Sequence, residues 1–336
     1  MKNVLYIGNK LNKLNSNSSY NETLGFLLEN EGYNLSYASS KSNKLIRLID
    51  MLISVFKNRE MVDFILIDTY STLNFYYAFF VSQLSRVFKL SCIPILHGGN
   101  LPKRLKNNPL LCKLIFNNSY VNISPSIYLF ETFKANGYQN VLFIPNTIEI
   151  ENYRFLERND QNIKLLWVRS FSKIYNPKMA IHVLDKLITG GYEVSLCMVG
   201  PDSDGSLEEV KALAAQKKLN VKFTGKLTKQ EWITLSKDYT IFLNTTNFDN
   251  MPVSVIEAMA LGLPIVSTNV GGIPYLIEND IEGMLVEQNN PDAMSEAIIT
   301  LFKDPTLYKT LAYNARAKVE QFDWQIIKHK WFEVLN

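Results

Sequence analysis

Two acidic residues, Asp249 and Glu257, lie in and just behind a loop that leads into a short apolar helix. Residues 248–272 read FDNMPVSVIEAMALGLPIVSTNVGG, so the neighbours of Glu257 are nearly all small or apolar. A carboxylate in such a run favours a functional role over a solvated surface position. Backbone N–H groups at a helix start bind anions, and a nearby carboxylate can accept hydrogen bonds from sugar hydroxyls. The segment therefore predicts a site for a diphosphate joined to a sugar.

Glycine and proline residues predict where the helices and the strand around Asp249 and Glu257 begin and end. Gly262 ends the predicted helix in the left-handed conformation that glycine adopts without strain, and Pro264 prevents its continuation. A buried strand at 265–268 follows, and the Gly271-Gly272 pair turns into another helix near Pro274. Two successive loop-to-helix junctions should therefore face the same way, each with unpaired N–H groups.

This segment resembles the nucleotide-sugar signature of the glycosyltransferase family 4 (group 1) enzymes. Their pattern is E-x(7)-E, then A-M-A-x-G-x-P-V-V and a G-G turn. Glu257 matches the second acidic position, and Asp249 stands at the first, where the family has Glu. Tyr275 stands where members often carry Glu after the glycine pair. The resemblance implies the GT-B fold, an α/β arrangement of two Rossmann-like domains whose parallel sheets face each other across a cleft.

Further motifs of the family follow in order over some 200 residues, which makes the resemblance specific. Arg169 ends a predicted strand, and the resemblance assigns the donor diphosphate to it and to Lys173, with Lys178 as the second candidate lysine. Residues 145–148, reading PNTI, match the family's domain junction, and the H-G-G at 97–99 matches a motif that faces the donor. The other matching positions are the glycine-marked strand ends at Gly200 and at Gly225 with Lys226.

Strands and helices alternate along the whole chain, which is typical of parallel sheets with right-handed crossovers. Twelve short apolar runs predict strands at 4–7, 35–38, 64–67, 92–96, 120–123, 141–144, 164–168, 194–199, 221–224, 240–244, 265–268 and 284–286. Ser19 and Glu22 predict a capping box for the first helix. We expect a first domain at 1–155, a nucleotide-sugar domain at 156–321 and a linker at 157–161. By resemblance, the helix at about 322–336 returns to the first domain.

The resemblance implies retaining transfer of a hexosyl group from a nucleoside diphosphate sugar to an acceptor hydroxyl, with no metal ion and no other cofactor. The acceptor would be a glycan or a lipid-linked sugar, as in the synthesis of surface glycans or glycolipids. The predicted catalytic residues are His97, Arg169, Lys173 and Asp249. The predicted donor-binding residues are Gly200, Gly225, Lys226, Asn250, Met251, Pro252, Val253 and Glu257. The predicted acceptor-side residues are Gly98, Gly99, Asp68, Lys103 and Arg104.

Several alternatives stay open at this point. Asp68 either lines an acceptor pocket or caps the next helix, since its residue type serves both purposes. Asp202 and Asp204 form a D-x-D that is better explained by turn chemistry than by metal binding. A GT-B nucleotide-sugar 2-epimerase and a non-catalytic nucleotide-sugar-binding subunit are the alternative functions. A nicotinamide dehydrogenase is disfavoured because Gly8 is not followed by the G-x-G-x-x-G turn.

Length and composition limit the number of domains and the classes of protein to which the chain can belong. The 336 residues, 47% hydrophobic, suffice for two domains, and three isolated cysteines predict neither a disulfide framework nor a zinc site. The sequence shows no leader and no run long enough to span a bilayer, so we expect a cytoplasmic protein. Residues 1–120 carry a net charge of +7, which arises from 14 basic and 7 acidic residues. No basic strand surface carries stacked aromatics, which disfavours nucleic acid as a partner.

One basic helix has two interpretations. Its apolar residues are Leu45, Leu48, Leu52 and Phe56, and its flanks carry Lys41, Lys44, Arg47, Lys57 and Arg59. The pattern favours an ordinary helix that packs on the sheet and has a solvated face. Peripheral contact with an anionic membrane is the alternative.

Overall fold

The computed structural model describes residues 1–8, 20–158 and 162–336, which form two six-stranded parallel sheets covered by helices. The strands are β1 (Asn3–Ile7), β2 (Asn34–Ala38), β3 (Phe64–Thr69), β4 (Ser91–Leu96), β5 (Asn122–Ser124), β6 (Val141–Phe143), β7 (Ile163–Val168), β8 (Val194–Val199), β9 (Val221–Gly225), β10 (Ile241–Asn244), β11 (Ile265–Thr268) and β12 (Met284–Val286). All twelve predicted strands are present, and their bounds differ from the predicted ones by at most a few residues. The predicted class, α/β with two Rossmann-like sheets, is confirmed.

Helices alternate with these strands. They are α1 (Tyr20–Asn30), α2 (Lys44–Asn58), α3 (Phe75–Val87), α4 (Leu101–Asn107), α5 (Pro109–Phe116), α6 (Ile127–Ala135), α7 (Pro177–Thr189), α8 (Ser206–Gln216), α9 (Lys229–Leu235), α10 (Val253–Ala260), α11 (Ile273–Leu276), α12 (Pro291–Lys303), α13 (Pro305–Glu320) and α14 (Trp324–Leu335). Among the described residues, no helix is long and apolar enough to cross a membrane. Ser19 of the predicted capping box lies outside the described residues.

Unit 1 comprises residues 1–147 and 324–336. Its sheet has the order β2-β1-β3-β4-β5-β6, so the chain reverses direction across the sheet between β1 and β3. On one face, α1 and α14 bury a cluster that includes Tyr6 and Trp331. On the other face, α2 and α3 cover β1 and β3, and α5 packs beside α3. The last helix is held by Glu31, whose carboxylate accepts hydrogen bonds from Trp324 Nε1 and Lys328 Nζ, each at 3.1 Å.

Unit 2 comprises Ile148–Asp323 and has the sheet order β12-β11-β10-β7-β8-β9. The strand order reverses between β10 and β7, which are direct neighbours. Its core lies on both faces of this sheet and contains buried Trp167 and Phe242. Ligands of open parallel sheets bind beyond the carboxyl ends of the strands, at the point where the order reverses. That rule selects the loops after β7 and β10.

The units divide at Thr147–Ile148, whereas the sequence placed the junction at 155–156. Residues after Thr147 belong to unit 2 because their side chains are anchored there. Tyr153 is buried in the unit 2 core, and Arg158 donates from Nε to Tyr239 O and from Nη1 to Leu261 O, each at 2.8 Å. Burial lowers the pKa of Arg158 to about 10. Residues 159–161 of the predicted linker lie outside the described residues.

Helix α2 packs on the sheet, as the favoured interpretation expects, but the residues that face inward differ from the expected ones. Leu48 and Leu52 are half-buried against the sheet, but Leu45 and Phe56 are exposed, while the basic Arg47 is buried. Arg47 is tolerated inside because its Nε donates to Lys41 O at 2.7 Å and its Nη2 donates to Ser42 O at 3.0 Å. These two carbonyls accept the hydrogen bonds that the guanidinium would otherwise donate to water, which offsets the cost of burying it.

Candidate functional site

The candidate site of unit 2 is formed by the loops after β7 and β10, the two strands between which the strand order reverses. Arg169 follows β7 directly, and Asp249 lies in the loop between β10 and α10. Their side chains form an ion pair in which Arg169 Nη2 contacts Asp249 Oδ2. Both side chains are largely shielded from solvent. The structure thus brings together two of the residues that the sequence predicts to be catalytic.

Hydrogen bonds join the two loops and fix the position of this pair. The Asn247 N–H donates to Ile174 O at 2.7 Å, and Asn247 Nδ2 donates to Lys173 O at 3.2 Å. Thr245 Oγ1 donates to Tyr175 O at 2.9 Å. Every donor in this set comes from the loop after β10 and every acceptor from the loop after β7. These hydrogen bonds hold the two loops together.

Tyr175 supports the guanidinium of Arg169 from one side. The centre of the guanidinium lies 4.4 Å from the centroid of the tyrosine ring, within the range of a cation–π contact. Burial lowers the pKa of Arg169 from its ordinary value, and the neighbouring Tyr175 opposes that shift. Because arginine stays protonated even when its pKa falls, the site keeps a fixed positive charge in a water-poor environment.

Steric crowding explains why positions 271 and 272 are both glycine. The Gly272 N–H donates to Asp249 O at 2.9 Å, which brings two stretches of backbone together. A Cβ on Gly271 would lie 2.2 Å from Asp249 O, and one on Gly272 would lie 1.8 Å from Asn250 O. Any side chain at either position would therefore displace the loop that carries Asp249.

A similar close approach explains Gly200 at the end of β8. Its φ is +149°, and a Cβ there would lie 1.8 Å from the carbonyl oxygen of Arg169. The Gly200 N–H donates to Gly225 O at 2.9 Å, which places three strand ends side by side. Lys226 follows Gly225 and is exposed. Gly200 and Gly225 therefore shape the backbone around Arg169.

The helix start predicted to bind phosphate is present. α10 begins at Val253, and Pro252 before it supplies no side-chain cap to the first turn. Asn250 and Met251 are buried in the loop that leads to it. The start of α10 lies on the same loop as Asp249, and Arg169 follows the neighbouring strand β7. The fold can therefore offer backbone N–H donors and a cation to one ligand.

Glu257, on the first turns of α10, is buried rather than solvated, with 5% of its surface exposed. Its Oε1 accepts a hydrogen bond from Tyr153 Oη at 2.6 Å and lies 3.2 Å from Lys229 Nζ. Burial and the Glu257 carboxylate raise the pKa of Tyr153 well above its usual range, so the phenol remains a donor. The carboxylate is therefore held by one neutral donor and one cation.

Lys173 and Lys178 differ in their surroundings. Lys178 Nζ pairs with Glu209 Oε2 at 2.7 Å on the surface. Lys173 is exposed, and its backbone N–H donates to Asp204 Oδ2 at 3.0 Å. Lys173 therefore lies on the segment that carries Arg169, at a position fixed by Asp204.

The D-x-D at Asp202 and Asp204 makes the contacts of a turn. Asp204 Oδ2 also accepts from Ser172 Oγ at 2.9 Å, and Asp204 Oδ1 accepts from the Ser206 N–H and hydroxyl. Asp202 Oδ1 accepts from the Gly205 N–H at 3.0 Å. The Ser206 hydroxyl, followed by the Lys173 N–H, lowers the pKa of Asp204 to about 2. Within the described residues, no group of three or more His, Cys, Asp or Glu side chains could hold a metal ion.

Unit 1 carries a second cluster around His97, also where the strand order reverses. His97 follows β4, and its Nε2 lies 3.0 Å from Oδ1 of Asp68 in β3. Tyr6 Oη donates to the same oxygen at 3.1 Å, and the rings of Tyr20 and Tyr70 flank the imidazole with centroids 4.9 and 5.5 Å away. Asp68 is buried within β3 and holds the ring of His97, so it does not cap a helix.

The remaining acceptor-side candidates have different surroundings. The Gly98 N–H donates to Thr69 O at 3.1 Å, Gly99 follows in the same turn, and Lys103 is exposed on α4. Arg104 donates from Nε to Ser71 O at 2.8 Å and from Nη1 to Asn108 Oδ1 at 3.0 Å. These contacts are sufficient to explain Arg104 as a support for the loop after β3.

Sequence reasoning missed three residues of the unit 2 site: Tyr153, Tyr175 and Lys229. Tyr153 and Lys229 approach Glu257 from distant parts of the chain, and no local pattern marks either one. Tyr175 could have been noticed as an aromatic residue shortly after Arg169, a common partner for a buried guanidinium. None of the three belongs to the motifs on which the resemblance rests.

Comparison with known proteins places the chain in a family. The model of the family described as Glycosyl transferases group 1 matches residues 149–318, slightly more than half of the chain and all within unit 2. The capsular polysaccharide biosynthesis glycosyltransferase CapM of Staphylococcus aureus is 29% identical over 143 residues, 42% of this chain and 37% of that protein. The N-acetyl-alpha-D-glucosaminyl L-malate synthase of Bacillus anthracis is 29% identical over 161 residues, 47% of this chain and 41% of that protein. The match thus spans about two-fifths of these relatives.

Solved structures resemble the whole chain. HepE of Anabaena, in complex with UDP and glucose, has a TM-score of 0.82 at 18% identity and covers 100% of this chain and 99% of its own. Sucrose-phosphate synthase from Thermosynechococcus elongatus has a TM-score of 0.84 at 15% identity, with coverages of 99% and 98%. At these identities the likeness concerns the fold, which is GT-B. The chain is therefore a member of the group 1 glycosyltransferase family with the GT-B fold.

Proposed function

We propose that this protein transfers a hexosyl group from a nucleoside diphosphate sugar to an acceptor hydroxyl, with retention of the anomeric configuration and without a metal ion. The observation that carries the proposal is the largely shielded Arg169–Asp249 pair at the reversal of strand order, inside the segment that matches the family model. The relatives named above make a capsular polysaccharide or a glucosaminyl malate, and HepE binds UDP. A glycan or a lipid-linked sugar is accordingly the acceptor class that we propose.

Arg169 and Lys173 are the groups that neutralise the departing diphosphate. A buried guanidinium forms stronger charge-assisted hydrogen bonds than an exposed one, because little water competes for it. The start of α10 at Val253 adds backbone donors and the positive end of the helix dipole. Two cations and a helix start supply the charge that a metal ion would otherwise supply, so transfer should persist in a chelator such as EDTA.

Glu257 is the group that binds the ribose hydroxyls. A carboxylate held by Tyr153 and Lys229 on one oxygen is fixed in orientation, which favours a two-point contact with a diol. Asp249 is the group that binds the donor sugar. Its carboxylate lies against Arg169 in the free protein, so binding of the diphosphate to Arg169 would release it toward a sugar hydroxyl.

His97 is the group of unit 1 that we assign to the transferred sugar. When Asp68 accepts a hydrogen bond from Nε2–H, the neutral imidazole leaves Nδ1 as an acceptor for a hydroxyl. Tyr6 holds Asp68 in turn, so the carboxylate cannot rotate away from the ring. By the family resemblance, the acceptor proton passes to the departing phosphate oxygen, and no separate base is needed.

The first test is binding of the donor. A panel of UDP-, GDP- and ADP-sugars is screened by thermal shift, and the matching ligand at 100 times its dissociation constant should stabilise the protein by about 2.7 kcal/mol. If none of the panel shifts the melting temperature at millimolar concentration, the proposal fails at its first step.

The second test is transfer itself, with the donor found by the panel and a set of glycan and glycolipid acceptors. The product anomer, determined by NMR, tests retention, and parallel reactions with EDTA test metal independence. Binding without transfer would favour the non-catalytic subunit, and release of an altered free sugar without acceptor would favour the 2-epimerase. The first of these alternatives draws on Asp249 and Tyr275, which occupy positions where the family carries Glu.

A further inference from the structure

The outer surface of α2 is apolar, although it faces solvent. The helix contacts unit 1 through Arg47, Met51 and Val55. The side chains that point away from the sheet recur at helical spacing, with 73% of Leu45, 55% of Ile49 and 46% of Ile53 exposed. An ordinary surface helix shows the opposite arrangement, with its apolar side inward.

Local hydrogen bonds define the start of α2. Asn43 caps α2 by accepting from the N–H groups of Leu45 and Ile46, at 3.0 and 3.2 Å. Arg47 bonds to the carbonyls of Lys41 and Ser42. Rotating the helix to bury its apolar stripe would expose Met51 and Val55 and would break the hydrogen bond from the Tyr77 hydroxyl of α3 to Lys44 O, so the exposed stripe is part of the fold.

Neighbouring helices extend the apolar surface. The Tyr77 hydroxyl on α3 donates to Lys44 O at 3.1 Å, and Gln83 Nε2 on α3 donates to Leu114 O on α5 at 3.1 Å, so the three helices lie side by side. We call their exposed apolar residues the apolar face: Leu45, Ile46, Ile49, Ile53, Phe56, Tyr76, Phe80, Val87, Leu110 and Leu114. Many exposed apolar side chains on adjacent helices of one face mark an interaction surface.

The charge around the apolar face has one sign. Helices α2 to α5 contain one acidic residue, Asp50. Their basic residues are Lys44, Arg47, Lys57, Arg86, Lys103, Arg104, Lys106 and Lys113. The whole chain has a net charge of only +3, so the positive charge is concentrated here.

We propose that the apolar face lies on an anionic lipid bilayer, with its aliphatic and aromatic side chains in the interface and its lysines at the lipid phosphates. A second copy of the chain is a poorer occupant. Isologous pairing would place mostly like charges opposite each other around the contact, with Asp50 and Glu60 as the acidic residues of α2 and the turn after it. This inference does not depend on the proposed sugar transfer, because it rests on unit 1 surface residues that are assigned no role in binding the donor.

The experiment is flotation of the full chain with vesicles of phosphatidylcholine alone or of phosphatidylcholine with phosphatidylglycerol. The parent protein should bind the anionic vesicles only, and its binding should weaken as salt is raised. Light scattering on the same samples reports the oligomeric state without lipid. Equal binding to both vesicle types, or absence of binding to either, overturns the proposal.

Surface variants locate the contact. Ile49→Ser with Ile53→Ser should weaken vesicle binding at least ~10-fold, since two inserted side chains are lost. Lys44→Gln with Lys57→Gln should weaken it by about 25-fold, at about fivefold for each cation. The matched controls are Ile326→Ser, an exposed isoleucine on α14, and Lys237→Gln, an exposed lysine of unit 2.

Circular dichroism and melting temperature check that each variant is folded. Parent-like binding by both folded double variants would contradict the inference. A parent dimer that the isoleucine variant converts to a monomer would instead assign the face to self-association and would also overturn it.

Discussion

The guanidinium of Arg169 and the carboxylate of Asp249 form a largely shielded ion pair between the loops that follow β7 and β10. Since Arg169 is also the cation placed to receive a diphosphate, the pair must open or share its hydrogen bonds when the donor binds. The free protein thus keeps its site cation neutralised by a group that is itself assigned to the donor sugar. Two of the following predictions examine this relationship directly.

A double-mutant cycle should separate folding from catalysis at this pair. Arg169→Ala and Asp249→Ala each leave one largely shielded charge unpaired, so each should lower the free energy of unfolding by about 1–3 kcal/mol. The double variant should recover much of that loss because neither charge remains. Its rate of sugar transfer should stay roughly 30- to 1000-fold below the parent, since the diphosphate has lost its cation. Additive stability losses in the double variant would show that the two side chains are not coupled.

Asp249→Asn should separate nucleotide binding from transfer. The amide keeps the size of the side chain but no longer competes with phosphate for Arg169, so affinity for the free nucleoside diphosphate should be no weaker than in the parent. Turnover should fall at least ~10-fold, because the donor sugar loses a charged acceptor and would be positioned less accurately for transfer. Isothermal titration and a transfer assay measure the two quantities. Equal turnover in parent and variant would reject the role of Asp249.

Glu257→Gln should weaken the nucleotide itself. The carboxylate is worth about 1.5–3 kcal/mol as a charged acceptor for ribose hydroxyls, or about 12- to 160-fold in the dissociation constant of the free nucleoside diphosphate. Titration with that ligand is the measurement. Unchanged affinity would place Glu257 away from the ribose.

Tyr153→Phe is the matched control for Glu257, because it keeps the ring and removes only the hydrogen bond to Oε1. If Tyr153 positions the carboxylate, this variant should weaken the nucleotide less than Glu257→Gln does. Its stability should fall by about 1–3 kcal/mol, since a buried acceptor loses a donor. A loss of stability with parental nucleotide affinity would limit Tyr153 to a structural role.

Asp68→Asn should affect transfer without affecting the nucleotide. The variant loses the charge that orients His97 and that Tyr6 bonds to, so the imidazole can adopt the wrong tautomer or rotate. We expect turnover to fall about 10- to 100-fold, with the affinity for free nucleoside diphosphate unchanged because Asp68 belongs to unit 1. A change confined to nucleotide affinity would contradict the assignment.

Asp204 should make stability depend on acid pH. Its folded-state pKa, about 2, lies below the ordinary value of 3.8. Its charged form therefore stabilises the fold above the ordinary value, and that contribution is lost as pH falls through about 2. Because Asp204 is largely exposed, the effect should be about 1 kcal/mol or less. Parent and Asp204→Asn should differ in unfolding free energy near neutral pH and converge near pH ~2; a constant difference would show that the charge is irrelevant.

The sequence by itself determined the strands and the local turns. Each strand run, such as 194–199, carries its own apolar pattern, and Gly262, with a φ of +76°, ends α10 in the left-handed conformation that the sequence predicts. These features depend on neighbours in sequence, so they can be recognised before any tertiary contact is known. The family motifs around Arg169 and Glu257 belong to the same class, because their spacing is local.

Only the tertiary structure decided which side chains meet. Tyr153 bonds to Glu257 across 104 positions of sequence, and Arg169 pairs with Asp249 because β7 and β10 become neighbours in the sheet. The outward rotation of α2 likewise depends on Met51 and Val55, rather than Leu45 and Ile49, packing against the sheet. These pairings and orientations result from competition among alternative long-range contacts, whose free energies differ by a few kcal/mol. The local sequence pattern does not encode which of the alternatives is the more stable.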